Sequence, residues 1–297
     1  MSWHIIPGAL LFGIATSSHA APQTFNTALP VAKGEFVLRG QLFDRRATDD
    51  PSAADRELRV RGLVNVLGKG VARNWAVFGV LPYLDKTLDL TTPVGRVSRT
   101  ATGIGDTRLF ARYTLHQRDA KGRTFRVAPF FGVEIPTGED DHRDSLGRLP
   151  APLQLGSGSW DPFGGIVLTY QTLDYQVDAQ ASFKINTEAN DFEFGDEARL
   201  DTSFQYRLWP RELSDSGVPS YFYAVLEGSV RYQAKNEING SRDPDSGGTS
   251  LVLSPGVQYV TKRWIVEGIV ELPIAQNLGG SALEDDYTLR LGFRANF

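Results

Sequence analysis

YTLRLGFRANF, residues 287–297, is the stretch that decides the fold. Tyr287, Leu289, Leu291, Phe293, Ala295 and Phe297 share one parity, while Thr288, Arg290, Gly292, Arg294 and Asn296 share the other. A period of two with one oily and one ionic face is a β-strand between two different solvents. The same alternation recurs at Tyr175 to Asn186 and at Ala198 to Leu208, and more loosely at Leu58 to Val66. Strands of about ten residues with this patterning suit a transmembrane β-barrel, because in lipid only a closed sheet pairs every backbone group.

Extending that reading by parity and turn residues predicts about twelve strands. They fall near 34–44, 56–67, 75–84, 106–115, 125–136, 159–170, 175–186, 196–208, 220–233, 249–260, 264–273 and 286–297. Connections at 85–105, 137–158, 187–195, 234–248 and 274–285 are long, whereas 68–74, 171–174 and 261–263 are short. Long outer loops and short inner turns are the asymmetry of bacterial outer-membrane barrels, and an even strand count puts both ends in the periplasm. Connections 116–124 and 209–219 are long for periplasmic turns. Pro129, Pro162 and Pro255 cannot donate to a ladder, so they are expected to mark bulges or kinks. Aromatic residues gather near both ends of the strands, Trp75, Tyr113, Tyr206 and Trp264 at the periplasmic side and Tyr83, Trp160, Tyr232 and Tyr287 at the outer side. Two girdles at headgroup level are expected from them.

Composition sets outer bounds. A hydrophobic fraction of 41% does not argue against a barrel, since only alternate residues meet lipid. No later segment has about eighteen consecutive apolar residues, so membrane helices are excluded. The net charge of -4 and the scattered basic residues argue against nucleic acid as a partner. With no cysteine, disulfides, thiol nucleophiles and Cys-based zinc sites are excluded. Residues 1–20 read as a signal peptide, with an apolar run from Ile5 to Ala15 and small residues before a cut after Ala20, although no Lys or Arg precedes the run. Residues 21–32 then form either a periplasmic N-terminal segment or a plug folded into the lumen, and residues 33–297 the barrel.

Several motifs stand in order along the chain. They are Leu81-Pro82-Tyr83, Gly103-Ile104-Gly105-Asp106, the run from Pro129 to Gly138, and Gly156-Ser157-Gly158-Ser159-Trp160-Asp161. Gly195-Asp196-Glu197, the run from Leu253 to Tyr259 and the terminal aromatic strand complete the series. In this the chain resembles the outer-membrane family named for the meta-cleavage pathway of phenol degradation, often labelled as a transporter. The resemblance implies a barrel in the outer membrane of a Gram-negative bacterium, linked by the family's name to uptake of aromatic or other small apolar compounds. It supplies no catalytic residue.

With parity set by the apolar face, the expected lumen-lining side chains are Arg39, Arg59, Arg61, Arg108, Arg112, Arg126, Glu134, Asp178, Lys184, Glu197, Arg199, Asp201, Arg207, Glu227, Arg231, Glu267, Glu271, Arg290 and Arg294, together with Glu35. If the loop at 274–285 closes a hairpin in register, Glu271 falls beside Arg290 and Glu267 beside Arg294. Both signs are present in similar number, which argues against a pore dominated by one charge. Asp106 and Asp161 open strands returning from outer loops, where a carboxylate accepts backbone hydrogen bonds. The loop Glu139-Asp140-Asp141-His142-Arg143-Asp144 has three open readings: a divalent-cation site, a bridge to lipopolysaccharide, or a solvated loop. Beyond the proposed leader only His116 and His142 remain, and no GxSxG, HExxH or phosphate loop follows it, so no enzyme, metal or cofactor is expected. The reading is an all-β, roughly twelve-stranded monomeric channel for a small, apolar or aromatic cargo, or else a non-conducting structural or adhesive barrel. Its expected partners are outer-membrane lipid and lipopolysaccharide, and the barrel-assembly machinery, for which Phe297 is the assembly signal.

Overall fold

The computed structural model describes residues 20–212 and 219–297; apart from Ala20, the leader proposed for residues 1–20 lies outside them. Fourteen strands form one closed antiparallel sheet. They are β1 Phe36–Ala47, β2 Glu57–Ala72, β3 Trp75–Thr92, β4 Gly95–Ile104, β5 Thr107–Tyr113, β6 His116–Ala120 and β7 Arg123–Ile135. After these come β8 Asp161–Thr172, β9 Tyr175–Lys184, β10 Glu197–Trp209, β11 Tyr221–Gln233, β12 Gly248–Val260, β13 Trp264–Leu278 and β14 Tyr287–Asn296. β4, β5 and β6 are successive pieces of a single stave, so the wall has twelve staves and every sequence-predicted strand has its counterpart. No described helix is long and apolar enough to cross a membrane.

Closure runs from Val37 opposite Asn296 to Arg46 opposite Tyr287. Phe36 and Phe297 extend this seam by exchanging both backbone hydrogen bonds, at 2.7 and 3.0 Å, and their rings stack with centroids 5.8 Å apart. The outward parity carries an apolar belt that includes Leu42, Phe131, Leu226, Val257 and Leu291, all exposed. At its periplasmic rim, Trp75 lies on Tyr113, Tyr170 on Tyr175 and Tyr259 on Trp264, with centroids 4.9 to 6.1 Å apart. The long connection 116–124 is a hairpin of β6 with β7, which accounts for its length; part of 209–219 lies outside the described residues.

Of the three prolines, Pro129 lies where the facing stave carries one extra residue, as expected, whereas Pro162 and Pro255 pair without a register shift. The β7 ladder breaks beside Pro129, between Phe130, which faces Arg112, and Val127, which faces His116. A missing N–H is harmless where the stave itself changes from β5 to β6. Pro162 pairs in register with Val133 near the outer end of β8, and Pro255 with Leu226, while no pair joins Pro255 to β13. Register shifts occur elsewhere, at residues 70–72, 207–209 and 251–252.

Arg59 and Arg61 are not in the lumen. On β2 they share the parity of the exposed Leu67, and they pair with Asp44 and Asp85 across the outer face of the wall. The cause is that β2, β3 and β4 rise beyond the other staves, with β4 bonded only to β3. Above the bilayer the outside of the wall is wet, and its inside becomes the dry face. There Leu58, Leu84 and Leu88 pack against Ala101 and against Leu149, Leu153 and Leu155 of the outer loop.

Four inward phenylalanines stand directly opposite glycines on the next strand: Phe43 on Gly62, Phe78 on Gly68, Phe110 on Gly132 and Phe130 on Gly165. A Cβ added at any of these glycines would come within 2.7 Å of its phenylalanine. An aromatic side chain laid over a glycine fills the gap left by the missing side chain. Gly132 has phenylalanine on both sides, Phe110 and Phe163, whose ring centroids are 6.1 Å apart. Gly132→Val is therefore expected to cost about 1–3 kcal/mol by overpacking and to change the near-ultraviolet dichroism of the aromatic cluster. Unchanged unfolding and spectrum would show that the wall yields there.

Candidate functional site: the barrel lumen

The lumen has two unlike walls. On β3, β5, β7 and β8 it is lined by Phe78, Phe110, Phe130 and Phe163, with Phe78 stacked on Phe110 at 4.7 Å and Phe110 edge-on to Phe130 at 6.3 Å. Val64, Val66 and Val80 extend this apolar side. Ionic and amide side chains of β9 to β14 and β1 face it, and Arg108, Arg112, Arg126 and Glu134 stand among the rings on β5 and β7. Arg39 meets Glu267 at 2.5 Å; Arg231 and Arg290 share Glu271; Arg108 and Lys184 share Glu134. Arg199 meets the buried Asp201 at 2.8 Å, and Arg207 meets Asp174 at 2.6 Å. Arg126 bonds Gln117, Thr124 and Asp119 near the periplasmic end, and Glu197 lies 3.7 Å from Lys184. Arg294 and Glu35 also line the cavity.

The β13–β14 register differs by two residues from the expected hairpin. Glu271 stands opposite Thr288 and Glu267 opposite Gly292. Glu271 still reaches Arg290 on the diagonal, whereas Glu267 is bonded across the seam to Arg39. A loop of residues 274–285 closed in register sets position 273 opposite 286 and so Glu271 opposite Thr288, which is the pairing found.

Residues 20–32 lie inside this lumen. Ala20 packs among Val225, Val260, Ile265 and Ile269, and Ala21 exchanges bonds with the Gln258 amide. The Glu227 carboxylate accepts the Gln23 and Thr24 backbone N–H groups at 2.6 and 3.1 Å and the Thr24 hydroxyl. Arg39 and Gln41 donate to the Gln23 carbonyl from the opposite side. The segment then crosses the bore. Thr27 bonds Asp178, Ala28 donates to Thr169 and is fully buried against Ala128, Phe130 and Val167, and Arg112 donates to the Thr27 and Leu29 carbonyls. It leaves past Gly70, where an added Cβ would lie 2.1 Å from the Ala32 carbonyl oxygen, and turns into β1 at Gly34 with φ of +87°. In a low-dielectric interior each such backbone group must be paired, and inward side chains pair many of them. Between this segment and the two walls remains a cavity of about 840 Å³.

The phenylalanines line the lumen and Thr169, Gln180 and Gln258 bond the N-terminal segment, and none of them carries a charge that would mark it in the sequence. A signal for the rings exists in the sequence only once strand register is known, since it is the glycine opposite each ring that makes room for it.

The outer mouth is narrowed by residues 139–155. The Lys86 ammonium donates to the Pro152 and Gln154 carbonyls. Burial beneath this loop pushes its pKa down to about 8. The loop's carboxylates are directed to partners in the protein: Asp144 to Arg99, Asp141 to Arg143 and Arg148, Asp140 to Asn190, and Glu139 to His142. Among the described residues no cluster of three such groups is arranged to hold a metal ion. Asp106 accepts the Gly138 and Ser157 backbone N–H groups at 2.9 and 2.7 Å, and Asp161 accepts that of Thr187 at 2.9 Å, fixing the rim.

A family model with the description "Putative MetA-pathway of phenol degradation" matches residues 48–267. The chain belongs to this family. No curated protein matches the sequence. Among solved structures, the COG4313 outer membrane channel from Pseudomonas putida F1 is similar at 13% identity and a TM-score of 0.69. That match covers 94% of this chain and all of the other. The transport unit of the Escherichia coli autotransporter AIDA-I matches at 11% identity and a TM-score of 0.49, over 93% of this chain and 94% of the other. The fold of this MetA-pathway family member is that of a Gram-negative outer-membrane barrel.

Proposed function

We propose that this barrel is an outer-membrane channel for a small molecule with an apolar or aromatic body, and that residues 20–32 act as its plug. The observation that carries the reading is the phenylalanine-walled cavity of about 840 Å³ beside that segment. A wall needed only for stability has no use for rings facing a space large enough for a small molecule. The similar Pseudomonas putida protein is named as a channel, which supports conduction. Swelling of vesicles holding the purified chain tests it: faster entry of small aromatic solutes than into empty vesicles is expected, and no entry of any solute would leave the rival reading of a structural barrel. The reach of the plug favours that rival, since it crosses the lumen from Glu227 on β11 to Arg112 on β5.

No catalytic role is proposed. His116 is exposed on β6, and His142 lies on the outer loop beside Glu139. Lipid covers the apolar belt, and the charged rim around the outer loops suits lipopolysaccharide. Phe297 is proposed as the signal for the assembly machinery; with Phe36 it locks the seam, so its deletion should lower the membrane yield of folded barrel. A normal yield on a heat-modifiable gel would remove that role.

A further inference from the structure

The cavity is much more cationic than the lumen as a whole. Eight of its lining side chains are Arg or Lys, whereas Glu35 and Glu197 are its acidic ones. Asymmetric burial of the ion pairs is responsible. The side chains of Glu267, Glu271 and Asp201 are 1%, 3% and 1% exposed, while those of their partners Arg39, Arg290 and Arg199 are 18%, 24% and 30% exposed. The carboxylates are sunk in the wall and the guanidinium groups are offered to the space. Sharing sharpens this, since Glu271 and Glu134 each serve two cations. Glu227 and Asp178, the other deep carboxylates, accept hydrogen bonds from the N-terminal segment. The rings of Phe78, Phe110 and Phe163 line it from β3, β5 and β8 with Arg108 and Arg112 beside them on β5, while Arg39, Arg199 and Arg290 line it from β1, β10 and β14.

An apolar solute alone would desolvate the exposed sides of these guanidinium groups, whose carboxylate partners lie on their buried sides. A simple inorganic anion would leave the phenylalanine face in contact with water. One ligand class satisfies both walls. We propose that the cavity is a binding site for a small aromatic carboxylate, its ring against Phe110 and its neighbours and its carboxylate toward Arg290 and Arg199. Planar guanidinium forks match carboxylates, and ring pairs favour offset or edge-on contact at the spacings this wall already uses. The inference rests on the reading of the lumen as a site for small aromatic molecules and narrows its cargo.

Calorimetric titration of the folded full chain in detergent tests it, with 4-ethylbenzoate, the uncharged 4-ethylbenzyl alcohol and acetate as probes. The benzoate is expected to bind about 10-fold tighter than the alcohol, with acetate weaker still, and to weaken as salt rises. Phe110→Leu should weaken both arenes, and Arg290→Gln the benzoate alone; Arg199→Gln serves should the former fail to fold. Equal or tighter binding of the alcohol would overturn the proposal while leaving a channel for apolar cargo intact. Acetate binding as well as the benzoate, or an Arg290→Gln loss shared by both arenes, would overturn it too. Binding of no probe, with no solute entering vesicles, would end both this inference and the channel reading.

Discussion

Deletion of residues 21–32 is expected to raise single-channel conductance several-fold while leaving a folded barrel. The expectation follows from where the segment's bonds go. Its backbone is held by side chains, Glu227, Thr169, Arg112, Arg39, Gln41 and Gln258, and among the described residues its backbone pairs in no strand ladder, the Lys33–Gly70 bridge coming just after it. Every stave keeps both neighbours without it. The side chains it releases face a space that water can enter, so their loss of partners is met by solvation. Planar-bilayer recording of the shortened chain, with heat-modifiable migration as the check on folding, gives the answer. Unchanged conductance in a folded protein would mean the segment does not block the path. A milder version, Glu227→Gln, keeps the side chain's size and weakens the charge-assisted bonds to Gln23 and Thr24, and should give intermittent openings instead of a steady rise.

Leu226→Arg is expected to destabilise the barrel by about 2–4 kcal/mol, the cost of a cation at the bilayer midplane. Leu226 is exposed on the outer face of β11, midway between Phe222 near the periplasmic rim and Tyr232 near the outer one. Leu200 pairs with Val230, two residues from Tyr232, so the same substitution there should cost less. The control is Gln171→Arg, which faces the cavity and should change stability little. Urea titration in lipid vesicles measures all three. Equal tolerance of Leu226→Arg and Gln171→Arg would mean that the wall does not separate oil from water in the way its parity indicates.

The wall was legible because a period of two needs no tertiary information. Each stave between Tyr175 and Leu208, and the last stave to Phe297, states its own inside and outside. β2 broke the rule because half of it stands above the membrane, where Arg59 and Arg61 meet water outside while Leu58 meets a loop inside. No local pattern marks that height. The lumen's polar half was legible as charges on the inward parity, but its apolar half was not. Phe78 and Phe110 sit on the parity a barrel reserves for polar groups, and the assumption of oil outside and ions inside hides them. The N-terminal segment was harder still, because its partners lie mostly 140 or more residues away and its residues carry no periodicity. The expected balance of charge also held only for the wall as a whole. Which member of each ion pair is sunk and which is presented depends on side-chain length and depth, neither of which parity encodes.

The glycines beneath the phenylalanines separate two kinds of sieving. Because Gly62, Gly68 and Gly165 let the rings recline along the wall, the calibre of the passage is set by residues without side chains, whereas its electrical character is set by arginines, some beside the rings on β5 and β7 and others on β1, β10 and β14. Gradual enlargement at the glycines would tilt the rings inward and tighten the gauge without disturbing a single charge. Related barrels could thus diverge in the girth of what they admit while keeping its polarity, or the reverse.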